Sequence, residues 1–145
     1  MNILFVCTGN TCRSAMAAGL MDKIVRENNM DVFIESAGIF AVGGDNASKN
    51  AILAMKKYDV DLSLHKSQPV TEELIFNSDL ILTMTCEHKR ILEPMAKDKI
   101  FTLSEYAGRD CDISDPYGGD LVEYEKAASE IYEKLLKVSE KILDK

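Results

Sequence analysis

No stretch of these 145 residues is apolar over anything near the roughly 20 residues that a membrane-spanning helix requires. Positive charge is in short supply too: 17 Lys and Arg face 24 Asp and Glu, a net charge of −7. A general nucleic-acid binder needs a basic face, so neither nucleic acid nor a membrane is expected as a partner. Any anion site must therefore be locally positive against an unfavourable overall field. The chain does not open with a basic segment and a long apolar run, so no export leader is expected. Without one, the four cysteines are expected to be free, catalytic or metal-bound thiols, not a disulfide framework. Internal repeats and low-complexity linkers are also lacking. The length suits one domain spanning residues 1–145, which can bury a core without staples. A cytoplasmic enzyme is the class these absences leave.

What is present alternates between two periodicities. The runs "ILFV" (3–6), "VFIES" (32–36), "DLILTM" (79–84) and "KIFTL" (99–103) are short and apolar, as buried parallel strands are. Between them Ala17, Ala18, Met21, Ile24 and Val25 repeat at helical spacing after Ser14, and Ala51, Ala54, Met55 and Tyr58 do so after Ala47. "TEELIFN" (71–77) starts on a good N-cap, Thr71. From Tyr124 to Ile142, an apolar stripe through Ala127, Ala128, Ile131, Leu135 and Val138 predicts a long amphipathic helix. This alternation predicts an α/β fold: a single three-layer domain with a four-stranded parallel sheet covered by helices on both faces. Residues 104–120 read as the longest irregular stretch, and loops of that length tend to be functional.

The segment "CTGNTCRS" (7–14) leaves the first strand and enters the first helix, where open α/β sheets bind ligands. Gly9 and Asn10 tolerate positive φ, which lets successive N–H groups turn inward as an anion nest. The helix that follows adds unsatisfied N–H groups and the positive end of its dipole. Arg13 supplies a fork matched to two oxygens of a phosphoryl group. Thr8, Gly9, Asn10, Thr11 and Cys12 would line this phosphate loop around a tetrahedral dianion. It is not a nucleotide-binding loop, because the Gly-Lys-Ser/Thr ending is absent. Cys7 lies at its base, where the N–H groups and the arginine charge favour the thiolate. A thiolate under a bound phosphoryl group is placed for in-line attack, and Ser14 can donate a hydrogen bond to the sulfur. The alternative for Cys7 is a small apolar residue ending a buried strand.

Such an attack needs an acid to protonate the leaving group. Asp115 is the candidate in "DISDPYGGD" (112–120), stiffened by Pro116 and with Tyr117 able to wall the site. The plainer reading is an Asp-Pro turn. Asp110, Asp112 and Asp120 are expected to be solvated loop charges.

Taken with "SAG" (36–38), "HKS" (65–67) and "DPYGG" (115–119), the loop "VCTGNTCRS" (6–14) resembles the low-molecular-weight protein tyrosine phosphatases. The likeness runs over essentially the whole chain. It lies nearest the bacterial branch of protein-arginine phosphatases, through Thr11 and Gly118. The resemblance implies a phosphocysteine mechanism with Cys7 as nucleophile, Asp115 as general acid and then base, and phosphorylated proteins as substrates. It also implies that Asn10, Ser36 and His65 form, with Ser14, a hydrogen-bonded support for the loop. Phe40 resembles the family's pocket wall. Tyrosine-specific relatives typically carry a larger aliphatic residue in place of Thr11, so the resemblance implies that Thr11 selects phosphoarginine. Ala15 stands where a proline is usual. The family needs no metal or organic cofactor, and a monomer is expected.

Three rival readings compete with this one. Thioredoxin-coupled arsenate reductases share the loop but need two further paired cysteines, and Cys86 and Cys111 lie in different segments. A non-catalytic phosphopeptide-binding module would have no use for Asp115. A zinc site from Cys7, Cys12, Cys86 and His88 lacks compact ligand spacing. Cys12 is better read as a redox partner for Cys7: a reversible disulfide would shield the nucleophile from over-oxidation.

Overall fold

The computed structural model describes residues 1–108 and 112–144. The apolar runs form four parallel strands, β1 (Asn2–Cys7), β2 (Phe33–Gly38), β3 (Leu80–Thr83) and β4 (Ile100–Thr102), in the order β2-β1-β3-β4. Leu4 of β1 pairs with both Glu35 and Ile81, and Ile81 pairs in turn with Ile100. The two central strands are buried on both faces, which is why they read as unbroken apolar runs.

Among the described residues six α-helices flank the sheet: α1 (Arg13–Glu27), α2 (Lys49–Lys56), α3 (Glu72–Asn77), α4 (Cys86–Leu92), α5 (Leu103–Tyr106) and α6 (Leu121–Leu143). Side chains alternate across a strand. Ile3, Phe5 and Leu82 accordingly enter the larger core with Leu20 of α1, Met55 of α2 and Ile131 of α6. Leu4, Val6 and Ile81 point the other way, into a smaller core closed by Ile75 of α3 and Leu92 of α4. These are the three expected layers. The α6 stripe from Tyr124 to Val138 is buried as its spacing requires.

Two segments depart from expectation. The stretch 104–120 is not irregular throughout, because α5 occupies its start. There Thr102 accepts from the Glu105 N–H while the Glu105 carboxylate accepts from the Thr102 N–H, a complete capping box. The run 99–103 accordingly yields a strand that stops at Thr102, with Leu103 already helical. Helix α4 was not foreseen. It starts on Thr85, whose hydroxyl accepts from the His88 N–H at 3.3 Å. Asp110 and Cys111 lie outside the described residues, so the expectations for them are not addressed by this structure.

Candidate active site

Strands β1 and β2 finish in register, with Cys7 opposite Gly38, and the loop 8–12 carries the chain from there into α1. Left-handed backbone in this loop falls on Asn10, at φ 60°, and not on Gly9. Asn tolerates that conformation better than most residues, and here its whole side chain is used to hold it. The Asn10 Nδ2 group donates to Ser14 Oγ at 2.8 Å and to Ser36 Oγ at 2.9 Å. Its Oδ1 accepts from the Gln68 N–H at 3.0 Å, and its carbonyl accepts from His65 Nε2 at 2.7 Å. Asn10, Ser14, Ser36 and His65 are thus brought together as one network. Asn10 is fully buried and, contrary to its placement among the pocket residues, does not line the pocket. Gly9 has another reason to be small: it lines the pocket, where a side chain would take up ligand space.

The pocket has a volume of about 270 Å³. Cys7, Thr8, Gly9, Thr11, Cys12 and Arg13 line it from the loop and the start of α1, and Asp115 and Tyr117 from the segment before α6. Cys7 Sγ lies 2.9 Å from Ser14 Oγ. Ser14 Oγ already accepts from Asn10, so its own hydrogen is directed to the sulfur when Cys7 is ionised. Arg13 is buried; its Nη1 donates to the Ile113 carbonyl at 3.1 Å, while Nη2 lies 3.5 Å from Asp115 Oδ2. Asp115 accepts from the Tyr117 N–H at 3.0 Å, an Asx turn across Pro116 that aims the carboxylate. Phe40 donates its N–H to the Thr8 carbonyl, but its side chain is exposed and is not part of the pocket wall. A larger cavity of about 550 Å³ opens at the other end of the strands, beside Asn2, Phe33 and Ser78, and holds no thiol or arginine.

Several residues around the site were not singled out for it from the sequence. Gly38 is one, because a Cβ there would sit 2.6 Å from the Thr8 carbonyl and 2.9 Å from the Asn10 nitrogen. Its place opposite Cys7 in the "SAG" segment was the available signal. Tyr124 reaches from α6 to Cys12 Sγ at 3.3 Å. Burial and that contact push its hydroxyl up, so it remains protonated. His88, buried on α4, touches Thr8 Oγ1 through Nε2 at 2.9 Å and Thr85 Oγ1 through Nδ1 at 3.1 Å. Burial, aided by the Arg13 charge, lowers its pKa from 6.5 to about 4, so the ring is neutral at pH 7. Asp112 and Asp120 are exposed, as expected of solvated charges, and each also accepts a backbone N–H: Asp112 from Cys86, and Asp120 from Glu123 as the cap of α6. Cys7, Cys12 and Cys86 are free thiols. Among the described residues, no three His, Cys, Asp or Glu side chains converge as a metal site, and no helix is long and apolar enough to cross a membrane.

What this cradle can do is take a tetrahedral dianion at the end of β1 and present it to a thiol, the chemistry of a cysteine-dependent phosphatase. The family model described as "Low molecular weight phosphotyrosine protein phosphatase" matches residues 2–145, and the chain belongs to that family. It is 40% identical over 146 residues to a protein-arginine-phosphatase of Bacillus subtilis, covering 98% of this chain and 97% of that one. It is also 36% identical to the low molecular weight protein-tyrosine-phosphatase PtpB of Staphylococcus epidermidis, covering 95% and 96%. Among solved structures, the YwlE arginine phosphatase, as a cysteine-to-serine mutant with a phosphorylated active-site serine, superposes with a TM-score of 0.95. That match has 39% identity and covers 99% of this chain and 96% of the other.

Proposed function

We propose that the protein removes phosphate from phosphoarginine in proteins. The observation that carries the substrate choice is that Thr11 and Asp115 line one pocket above Cys7, with no large aliphatic side chain at position 11. A guanidinium is planar and rich in N–H donors, and a small hydroxyl beside a carboxylate can receive it. A phenyl ring would gain more from an apolar wall. The relatives named protein-arginine-phosphatase support the same choice. Gly118 supports it less than the sequence implied: its φ of 80° gives glycine a backbone reason to be there.

In the proposed reaction, the Cys7 thiolate attacks phosphorus in line, forming the S–P bond as the P–N bond breaks. Asp115 gives its proton to the departing guanidino nitrogen. Arg13 and the loop N–H groups hold the three non-bridging oxygens as their charge redistributes. Asp115, now a carboxylate, takes a proton from water. That water attacks phosphorus, the S–P bond breaks, and inorganic phosphate leaves with the thiolate restored under Ser14. The proposal includes phosphorylated protein substrates, a monomer, a cytoplasmic setting suited to the free thiols, and no cofactor.

The second reading, a tyrosine phosphatase, is favoured by the 36% identical relative that bears that name. One comparison separates the two: phosphate release from phosphoarginine and phosphotyrosine peptides by the parent and by Thr11→Ile. The parent is expected to prefer phosphoarginine, and the variant to move the ratio toward phosphotyrosine by roughly tenfold or more. A parent that prefers phosphotyrosine refutes the arginine assignment.

A further inference from the structure

The turn between β3 and α4 meets both halves of the site. Its Met84 carbonyl accepts from the Ile113 N–H at 3.0 Å, and the Cys86 N–H donates to Asp112 at 3.0 Å. Ile113 is the residue whose carbonyl anchors Arg13, and Asp112 lies three positions before Asp115. The same turn reaches the phosphate loop through His88, whose ring spans Thr85 Oγ1 and Thr8 Oγ1.

Thr85 Oγ1 accepts from the His88 backbone N–H as the α4 cap, and its own hydrogen then has Nδ1 as a partner at 3.1 Å. In the tautomer that uses this pairing, Nε2 carries the proton and donates to Thr8 Oγ1. With its oxygen so engaged, the Thr8 hydroxyl hydrogen is free to turn into the pocket that Thr8 lines.

We propose that His88 is a positioning residue for the phosphatase reaction: as a neutral Nε2–H donor, it fixes Thr8 and hence the first turn of the phosphate loop against the turn that carries Arg13's anchor. The buried ring is held between two hydroxyls, with Arg13, Asp112 and Asp115 as the charged groups that act on it. The neutral form suits this place, since a charge there would be buried and would face Arg13. The proposal needs only Cys7 chemistry and is independent of whether the natural leaving group is arginine or tyrosine.

An aryl phosphate substrate therefore tests it apart from the substrate assignment. Thr8→Val removes the hydroxyl from an exposed residue, where folding is safe, and is expected to lower kcat roughly tenfold with the melting temperature kept. Thr8→Ser keeps the hydroxyl and is expected to recover most of the kcat that Thr8→Val loses. His88→Ala should cost about as much as Thr8→Val, and the double variant no more than either single one, because the two side chains act as one unit. The 15N shifts of His88 at neutral pH are expected to report the Nε2–H tautomer. Parent-like kcat in Thr8→Val, additive losses in the double variant, or an Nδ1–H ring would each overturn the proposal.

Discussion

Replacing Asn10 tests the central claim about the phosphate loop, that one side chain holds a left-handed turn against three neighbours. Asn10→Ala deletes two donations, to Ser14 and Ser36, and one acceptance, from the Gln68 N–H, all around a fully buried residue. At about 1 kcal/mol for each bond, the loss is roughly 3 kcal/mol. Holding alanine at φ 60° adds about 1 kcal/mol. The sum of about 4 kcal/mol corresponds to a melting temperature lowered by roughly 8–16 °C in a chain of this size. Asn10→Asp separates the stability role from the chemical one. It keeps the acceptor for Gln68 and the tolerance for left-handed backbone, but now takes the hydroxyl hydrogens of Ser14 and Ser36. Ser14 then has no hydrogen for Cys7 Sγ, and a carboxylate stands near the thiolate. Asn10→Asp should thus lose roughly 10²-fold in kcat while losing less stability than Asn10→Ala. Thermal and urea unfolding, with phosphate release measured in parallel, would read both. An alanine variant within about 1 kcal/mol of the parent, or an aspartate variant with parent kcat, refutes the reasoning.

Two further perturbations follow from the same geometry. In Gly38→Ala the new methyl meets only backbone atoms, at 2.6 Å and 2.9 Å, so the loop itself must move. We expect a loss of about 1–3 kcal/mol in urea unfolding and roughly 10²-fold in kcat; an alanine variant with parent activity would show that the loop is not seated on β2. His88 makes stability depend on pH. Its folded pKa of about 4 lies below the ordinary 6.5, so the unfolded chain binds the proton more readily. Stability should therefore fall as pH drops from about 6.5 toward 4, and the gap bounds the loss at roughly 3 kcal/mol. His88→Gln should flatten that part of the profile in urea titrations, and an unchanged slope between the two proteins refutes the assignment.

The sheet and its helices were legible because their signals are local and repeated. Unbroken apolar runs of four to six residues mark strands buried on both faces, and the buried α6 stripe repeats over about four turns. Helix α4 was not legible, since seven residues carrying Cys86, Glu87, Lys89 and Arg90 show no apolar stripe. It is held by the Thr85 cap and by Leu92 in the smaller core. The catalytic loop could be read because nucleophile, nest and arginine lie within eight residues of chain. His88 lies 80 positions from Thr8, and Tyr124 lies 112 from Cys12. Contacts at that separation exist only once the sheet has aligned its strand ends. The same holds for Asp112, whose N–H partner at Cys86 lies 26 positions away, whereas Asp120 caps α6 through Glu123 only three positions on.

The contact between Arg13 and Asp115 has a consequence for how the site loads. Arg13 has its other nitrogen fixed on Ile113 and a side chain only 6% exposed, so it stays in place with or without ligand. Asp115 is 55% exposed, and the pair is 3.5 Å apart. An ion pair with one partner in solvent contributes at most about 1 kcal/mol, weak enough for a dianion to displace. An arriving phosphoryl group takes the guanidinium fork, and Asp115 is left beside the leaving group, where a general acid must stand. Asp115→Asn should therefore separate anion binding from catalysis. It removes a competitor for Arg13 and a repulsive charge, so inorganic phosphate or vanadate should inhibit it as well as the parent, or up to about fivefold better. Turnover should fall by roughly 10²–10⁴-fold, because an amide can neither protonate the leaving nitrogen nor activate water. If inhibition weakens together with turnover, Asp115 contributes to holding the dianion, and the displacement argument is wrong.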